Sequence, residues 1–286
     1  MFRIFVNFFV SIINFLNFFF ENLLKIDFKG FLTDRLRQNY KSIFLKGAEI
    51  KFFIPNHVTK WRVDTFFKKE PETLEWIDKF KVDKDSVFWD IGSNIGLYSI
   101  YASKTHKKIK VYSFEPSFLN LNVLGRNIYI NKLEKKINIF QLPLTNKSTR
   151  FQYMMETSSS EGGALSSFGL NKDFRGKKIK DINSYSILGT TLDEMIKQKI
   201  LNIPDYIKID VDGIEHLILS GFSKNLKNKK VKSILIEVNE NYAYQKLEID
   251  KILKKNNYIL KQREQSELSK EGKDADKTFN YIYYRK

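Results

Sequence analysis

A short apolar run ends in Asp90, and a loop with Gly92, Asn94 and Gly96 follows it directly. The apolar run reads as a strand, and the residues after position 96 have a helical pattern. Glycine permits positive φ and lets a backbone approach a ligand closely, while the first turn of a helix offers unpaired N–H groups. The segment is therefore predicted to be a strand, a tight loop and a helix start that hold a small nucleoside-like ligand. The predicted contacts come from Asp90, Gly92, Ser93, Asn94 and Gly96.

Two acidic residues indicate which ligand this loop would hold. A carboxylate at Asp90, the first loop position, would repel the pyrophosphate that dinucleotide-binding loops place there. S-adenosylmethionine has no phosphate and carries ammonium and sulfonium cations, which a carboxylate attracts. Glu115 follows the strand predicted at 109–114, where a carboxylate can hydrogen-bond ribose hydroxyls. We therefore expect S-adenosylmethionine as the ligand; the alternative is a strand, turn and helix without one.

A second group of acidic residues follows the strand predicted at 206–209. Methyl transfer needs a positioned acceptor and removal of its proton. Asp210 is predicted to orient the acceptor, and His216 is a second catalytic candidate because imidazole titrates near neutrality. The structural alternatives are a helix cap at Asp210 and a solvent-facing ring at His216. Asp210, Asp212 and Glu237 are also candidates for holding a divalent cation such as magnesium.

Several blocks, in order along residues 70–239, resemble the FkbM-type methyltransferases, which use S-adenosylmethionine to methylate hydroxyl groups. The resemblance implies an O-methyltransferase acting on a hydroxyl of a sugar, glycan or similar polyol-bearing small molecule. The family usually has Glu where this chain has Asp212, so that carboxylate reaches less far here. The blocks are Lys69-Glu70-Pro71-Glu72-Thr73-Leu74-Glu75-Trp76-Ile77, Phe88-Trp89-Asp90-Ile91-Gly92-Ser93-Asn94-Ile95-Gly96, Phe114-Glu115-Pro116-Ser117, Thr191-Leu192-Asp193-Glu194 and Ile207-Lys208-Ile209-Asp210-Val211-Asp212-Gly213-Ile214-Glu215.

The elements that must position these residues alternate between strand and helix. This alternation predicts an α/β chain with a Rossmann-like, doubly wound methyltransferase sheet, whose ligands bind at the carboxyl ends of its strands. We assign residues 1–30 to an amphipathic N-terminal helix, 31–80 to connecting strands and a lid helix, and 81–286 to the methyltransferase domain. The predicted elements are strands at 43–54, a helix at 70–80, a helix at 119–130, and strands at 137–142, 206–209, 233–238, 258–261 and 279–284.

Two segments are predicted to be loops. Residues 157–167 are rich in serine and glycine and fall between the third and fourth strands, over the expected acceptor pocket. We interpret them as a substrate lid; a surface insertion is the alternative. Residues 264–277 are highly charged and are predicted to join the last two strands.

The composition limits which kinds of partner and chemistry are expected. The chain has 286 residues, no cysteine and a net charge of +16, so disulfides and thiolate chemistry are excluded. Lysine supplies most of the 49 basic residues, whereas arginine is preferred for phosphate and base recognition. Nucleic acid is therefore not the expected acceptor. An RNA methyltransferase, and a non-catalytic donor-binding scaffold at a membrane or partner, remain the alternative functions.

The N-terminus is strongly apolar. Residues 4–20 contain no charged side chain, yet their polar residues share one helical face. This amphipathic helix is expected to pack on the catalytic domain or a second copy, to lie in a membrane interface, or to span the membrane. No cleavable signal peptide is expected. The predicted location is cytoplasmic, peripheral to the membrane through residues 1–25. The apolar face comprises Phe5, Phe8, Phe9, Ile12, Phe15, Leu16 and Phe19.

Overall fold

A computed structural model describes residues 2–45, 47–180, 182–265 and 277–286. The helices are α1 (Phe2–Leu24), α2 (Phe28–Arg37), α3 (His57–Lys69), α4 (Pro71–Asp78), α5 (Leu97–Thr105), α6 (Phe118–Ile130), α7 (Leu192–Lys197), α8 (Glu215–Ser220) and α9 (Ala243–Lys255). The strands are β1 (Tyr40–Leu45), β2 (Ala48–Phe53), β3 (Val87–Ile91), β4 (Lys110–Phe114), β5 (Ile137–Phe140), β6 (Arg150–Glu156), β7 (Ser167–Phe168), β8 (Asn183–Gly189), β9 (Tyr206–Ile209), β10 (Ser233–Asn239), β11 (Tyr258–Glu264) and β12 (Thr278–Arg285).

A seven-stranded sheet with the order β11-β12-β10-β9-β3-β4-β5 forms the centre. Strands β5, β4, β3, β9 and β10 run parallel, and β12 is antiparallel to both β10 and β11. The order reverses at β3, which pairs with β4 on one side and β9 on the other. Ligands of open α/β sheets bind at such a reversal, outside the carboxyl ends of the strands. The predicted Rossmann-like sheet and its N-terminal helix are confirmed.

Alternate residues of the central strands face two separate cores. Trp89 and Ile207 belong to a core shared with α8 and α9, whereas Phe88 belongs to a core shared with α4, α5 and α6. This alternation follows from the two-residue period of a strand, so helices cover both faces of the sheet. The predicted connecting segment contributes Ile50 and Phe52 to the second core.

The structure adds elements that the sequence patterns did not predict. Strands β6, β7 and β8 form a separate antiparallel sheet, and the loop predicted at 157–167 connects β6 to β7. Their exposed positions alternate irregularly, so the two-residue period is weak in the sequence. Helices α2, α3 and α7 were also not predicted, and β5 ends at Phe140 instead of position 142. The charged loop predicted at 264–277 lies mostly outside the described residues.

Helix α1 packs on α2. Lys29 donates from its backbone N–H to Asn17 Oδ1 at 2.7 Å and from Nζ to Asn14 Oδ1 at 2.9 Å, and Phe20 stacks on Phe28. No residue of α1 is buried within the described chain. The expectation that its apolar face packs against the catalytic domain is therefore wrong.

Candidate functional site

The glycine loop joins β3 to α5 at the carboxyl edge of the sheet. The N–H groups of Gly92 and Ser93 both donate to the Phe114 carbonyl at 3.0 Å, which ties the loop to the end of β4. Gly92 has φ +83°, and a Cβ there would lie 1.8 Å from the Asp210 carbonyl oxygen. Glycine at 92 is thus required by the end of β9, and not only by a ligand as the sequence suggested.

Asp90 and Gly96 lie behind the loop and line neither of the two cavities that border it. Asp90 is fully buried; its Oδ2 accepts from Ser99 Oγ at 2.6 Å, and its Oδ1 has no partner among the described residues. Burial raises the pKa of Asp90, although Lys208 opposes this. Gly96 begins α5 with φ +88°, and a Cβ there would meet Leu124 Cδ1 at 2.5 Å. In place of the predicted ligand contacts, both residues support the loop from inside the protein.

A first cavity opens beside the loop, and we call it the donor cavity. Glu115 lies in its wall and accepts from the backbone N–H groups of Asn94 at 2.8 Å and Ser117 at 2.9 Å. Burial raises the pKa of Glu115 to about 7. The described lining includes no Lys, Arg or His, but it includes the carboxyl groups of Glu115, Asp210 and Asp212. Its apolar lining includes Phe114, Leu142, Leu144, Met154, Phe168 and Ile218.

A second cavity lies on the other side of the loop, and we call it the acceptor cavity. Both signs of charge line it, with Arg62, Lys69 and Lys208 opposite carboxyl groups that include Glu237. Ser93 lies in this lining and not in that of the donor cavity. The residues common to both cavities are Gly92, Asn94, Ala164, Asp210 and Asp212.

A buried charge network surrounds Asp210. Lys208 is 1% exposed and donates from Nζ to Asp210 Oδ2 at 2.7 Å. Lys69 pairs with Glu70 at 2.6 Å, and Tyr98 OH donates to Glu70 at 2.5 Å. Burial alone would raise the pKa of Asp210, but the ammonium groups of Lys208 and Lys69 outweigh burial and hold it below its ordinary value. Asp210 is therefore ionised at neutral pH.

The turn after β9 is shaped by its own carboxyl groups. Glu215 accepts from the N–H groups of Val211 at 3.1 Å and Gly213 at 3.2 Å, which folds the chain back toward α8. Asp212, with φ +62°, accepts from the Leu165 N–H at 2.7 Å. Burial, followed by the charge of Asp210, raises the pKa of Asp212 to about 6. The Asp212 side chain, predicted to reach less far than a Glu would, thus contacts the backbone of residues 157–167.

Residues 157–167, which we call the cavity loop, lie against both cavities. Gly163 and Ser166 line the donor cavity, and Ala164 lines both. Asn94 Nδ2 donates to the Gly163 carbonyl at 2.7 Å, and Arg62 Nε donates to the Gly162 carbonyl at 2.6 Å. The loop is thus fastened to the glycine loop on one side and to α3 on the other, a placement that fits the predicted lid.

Three carboxyl groups lie close enough together to bind one cation. Two of them, Asp210 and Glu237, were predicted, but Glu70 takes the place predicted for Asp212. Ligand oxygens of Glu70, Asp210 and Glu237 lie within 4.8 Å of one another, whereas Asp212 is not of this group. Lys69 and Lys208 already supply positive charge to these carboxyl groups. Burial and the charge of Asp210 raise the pKa of Glu237 well above its ordinary value. Lys69 and Lys208 thus offset the negative charge of Glu70 and Asp210, and we assign no role in the reaction to a metal ion.

His216 lines neither cavity. It is the second residue of α8. Its ring packs edge-on against the rings of Tyr242 and Tyr244, with centroid distances of 6.0 and 5.6 Å. The ring is buried, which lowers its pKa, and its Nδ1 has no partner among the described residues. This position does not bring His216 to the reacting atoms, so Asp210 is the candidate base that the geometry keeps.

Sequence reasoning missed most of the acceptor cavity. Arg62 and Lys69 lie on α3, and Tyr98 lies on α5. No regular spacing in the sequence relates these residues to Asp210. Lys208 did carry a signal, because it is a lysine between two isoleucines in a strand whose residues are all buried. A charged residue is rarely buried unless it is paired, so its position predicts an acidic partner nearby.

The chain is similar in sequence and in fold to known methyltransferases. Residues 90–260 match the profile of the methyltransferase FkbM domain. The hexuronic acid methyltransferase AglP of Haloferax volcanii is 22% identical over 194 residues, which cover 68% of this chain and 72% of that protein. Methyltransferase sdnD of Sordaria araneosa is 29% identical over 83 residues, covering 29% of this chain and 32% of that protein. An rRNA methylase structure from Streptococcus thermophilus aligns with a TM-score of 0.44 and 10% identity, covering 75% of this chain and 94% of that one.

Proposed function

The chain belongs to the FkbM methyltransferase family, and we propose that it transfers a methyl group from S-adenosylmethionine to a hydroxyl of a carboxylate-bearing sugar. The observation that carries this proposal is the pair of cavities that meet at Asn94, Asp210 and Asp212. A methyl transferase must hold its donor and acceptor on two sides of one reacting point. The shared wall supplies such a point.

The donor cavity fits S-adenosylmethionine by its chemistry. Its described lining has three carboxyl groups and no basic side chain, which suits a ligand with two cationic groups and no phosphate. The apolar part of the wall can cover a planar base, and Glu115 can accept hydrogen bonds from ribose hydroxyls. Asn94 and Ser117 orient the Glu115 carboxylate for this contact through their backbone N–H groups.

The chain's own residues have three tasks in the reaction. S-adenosylmethionine, when bound, supplies the methyl group, which the acceptor oxygen takes as the carbon–sulfur bond breaks. Asp210, held ionised by Lys208, accepts the proton that the hydroxyl loses. The cavity loop excludes water from the shared wall, and Asn94 fixes the loop through the Gly163 carbonyl.

The acceptor cavity favours an anionic sugar. Lys69 and Lys208 are already paired with Glu70 and Asp210, whereas Arg62 has no ion-pair partner among the described residues. A guanidinium in a cavity wall matches the fork geometry of a carboxylate. The relative named as a hexuronic acid methyltransferase supports the same substrate class.

Donor binding should depend on pH through Glu115. Because burial raises its pKa to about 7, Glu115 is mostly ionised at pH 8 and mostly protonated at pH 6, and the ionised carboxylate is the form that accepts hydrogen bonds from both ribose hydroxyls. The Kd for S-adenosylmethionine should therefore weaken by about tenfold as pH falls from 8 to 6. Glu115→Gln should weaken binding at pH 8 by about 1–3 kcal/mol and flatten the pH dependence around 7. Isothermal titration calorimetry measures both.

A surface carboxyl group provides the control for this titration. Glu75→Gln alters an exposed residue of α4 that lines neither cavity, and it should keep the wild-type Kd and its pH dependence. Asp212, whose pKa is about 6, lies in the same cavity and accounts for a remaining dependence near pH 6. A full tenfold dependence centred near pH 7 in Glu115→Gln would contradict the role given to Glu115. Undetectable S-adenosylmethionine binding by the wild type at every pH would contradict the donor itself.

Acceptor preference can be tested with two sugars that differ in one group. Methyl glucuronide carries a carboxylate where methyl glucoside carries a hydroxymethyl group, and we expect transfer to the former. Arg62→Gln should raise KM for the glucuronide about tenfold more than KM for the glucoside, since it removes one charge-assisted contact from the glucuronide, while the lost bond to the Gly162 carbonyl affects both sugars alike. Lys60→Gln, on the same helix but exposed, is the control.

The product identifies the methylated atom. A base-stable methyl ether, detected by mass spectrometry, is expected for transfer to a hydroxyl, whereas a base-labile ester would move the transfer to the sugar carboxylate. Equal KM values for the two sugars in the wild type would contradict the preference for an anionic sugar but would leave the methyltransferase activity standing. Methylation of RNA, with no transfer to either sugar, would contradict the sugar acceptor and make RNA the acceptor.

A further inference from the structure

Helix α1 presents an aromatic surface that no other described part of the chain covers. Phe8, Phe15 and Phe19 are 62%, 70% and 50% exposed. The side that faces α2 is a different one, where Asn17 bonds Lys29, Phe20 stacks on Phe28, and Ile13 and Leu16 are partly buried. The aromatic face is therefore directed away from α2. A contiguous apolar face of this kind indicates a binding surface.

Length and charge indicate what covers this face. Helix α1 has 23 residues, about 34 Å at 1.5 Å per residue, a length common among helices that lie along a bilayer surface. Its stretch 4–20 has no charged side chain, and residues 3–37 carry five basic and three acidic side chains. An apolar helix face in a segment of net positive charge is complementary to hydrocarbon beneath anionic headgroups.

We propose that α1 and α2 dock this protein on an anionic phospholipid bilayer, with the aromatic face of α1 in the lipid. The polar stripe of α1, which Lys29 of α2 bonds at Asn14 and Asn17 and which is otherwise open to water, keeps the helix at the interface. Arg37 at the end of α2 forms an ion pair with Glu161 of the cavity loop, so the docked helices contact the loop that lines both cavities. The bilayer surface is thus joined to the catalytic site by a direct contact.

Vesicle flotation of the 286-residue chain tests the docking. The protein should float with vesicles of phosphatidylcholine and phosphatidylglycerol, and about tenfold less with phosphatidylcholine alone or at high salt. The double variant Phe8→Asp with Phe15→Asp should lower recovery with the anionic vesicles at least tenfold. The matched control, Asn7→Asp with Ser11→Asp, adds the same charge to the polar face and should cost threefold or less.

Folding and self-association are measured alongside. Neither pair of positions is buried, so both double variants should keep the wild-type circular dichroism spectrum and melting curve. Absence of flotation by the wild type would overturn the proposal. A lipid-free dimer that the aromatic-face variant disperses, without flotation by the wild type, would also overturn it and assign the face to a second copy of this chain. Equal recovery with neutral and anionic vesicles would overturn the anionic requirement.

Discussion

Asp210→Asn should lower turnover by about 10²-fold or more while changing the Kd for S-adenosylmethionine only a few fold. The amide keeps the shape of the side chain and its place in the wall shared by the two cavities. It cannot accept the hydroxyl proton, and it loses the charge that Lys208 holds in the ionised form. Single-turnover assays with saturating donor separate this loss from any change in binding.

A second measurement distinguishes chemistry from folding. The melting temperature of Asp210→Asn reports the cost of leaving buried Lys208 without its nearest carboxylate. Asp85→Asn, at an exposed position that lines neither cavity, is the matched control and should keep full turnover. Full turnover in Asp210→Asn would assign Asp210 a structural role and leave the proton to another acceptor.

Local patterns were enough to predict the sheet and part of the site. The apolar runs that end at Asp90, Glu115 and Asp210 become β3, β4 and β9, which lie side by side in register. Parallel strands bring their carboxyl ends to one edge, so residues far apart in sequence can be expected together there. Glu115 and Asp210 reach the cavity walls for this reason.

The roles within the loop could not be predicted, because they depend on neighbours from other elements. Asp90 and Gly96 have the residue types of a ligand-binding loop, but Ser99 and Leu124 occupy the space next to them. The acceptor cavity was missed for a related reason. Its cations come from α3 and from the middle of β9, and only the fold brings them to Asp210.

Gly92→Ala should be the most destabilising single methyl addition in the glycine loop. The new Cβ would lie 1.8 Å from the Asp210 carbonyl oxygen and 2.8 Å from its carbon, and both are backbone atoms that cannot rotate away. The residue would also keep φ near +83°, which L side chains disfavour. We expect a loss of about 3 kcal/mol or more of unfolding free energy, measured by urea denaturation.

Gly47→Ala separates the two causes, because Gly47 has φ +82° but no neighbouring atom within 4 Å of a new Cβ. It should cost only the backbone term, about 1–2 kcal/mol, and leave turnover intact. The excess cost in Gly92→Ala then measures the close approach of β3 and β9. To relieve the overlap the Asp210 backbone must move, so turnover should fall even where the variant is still folded. Equal destabilisation by the two substitutions, with normal turnover in both, would contradict this account of the loop.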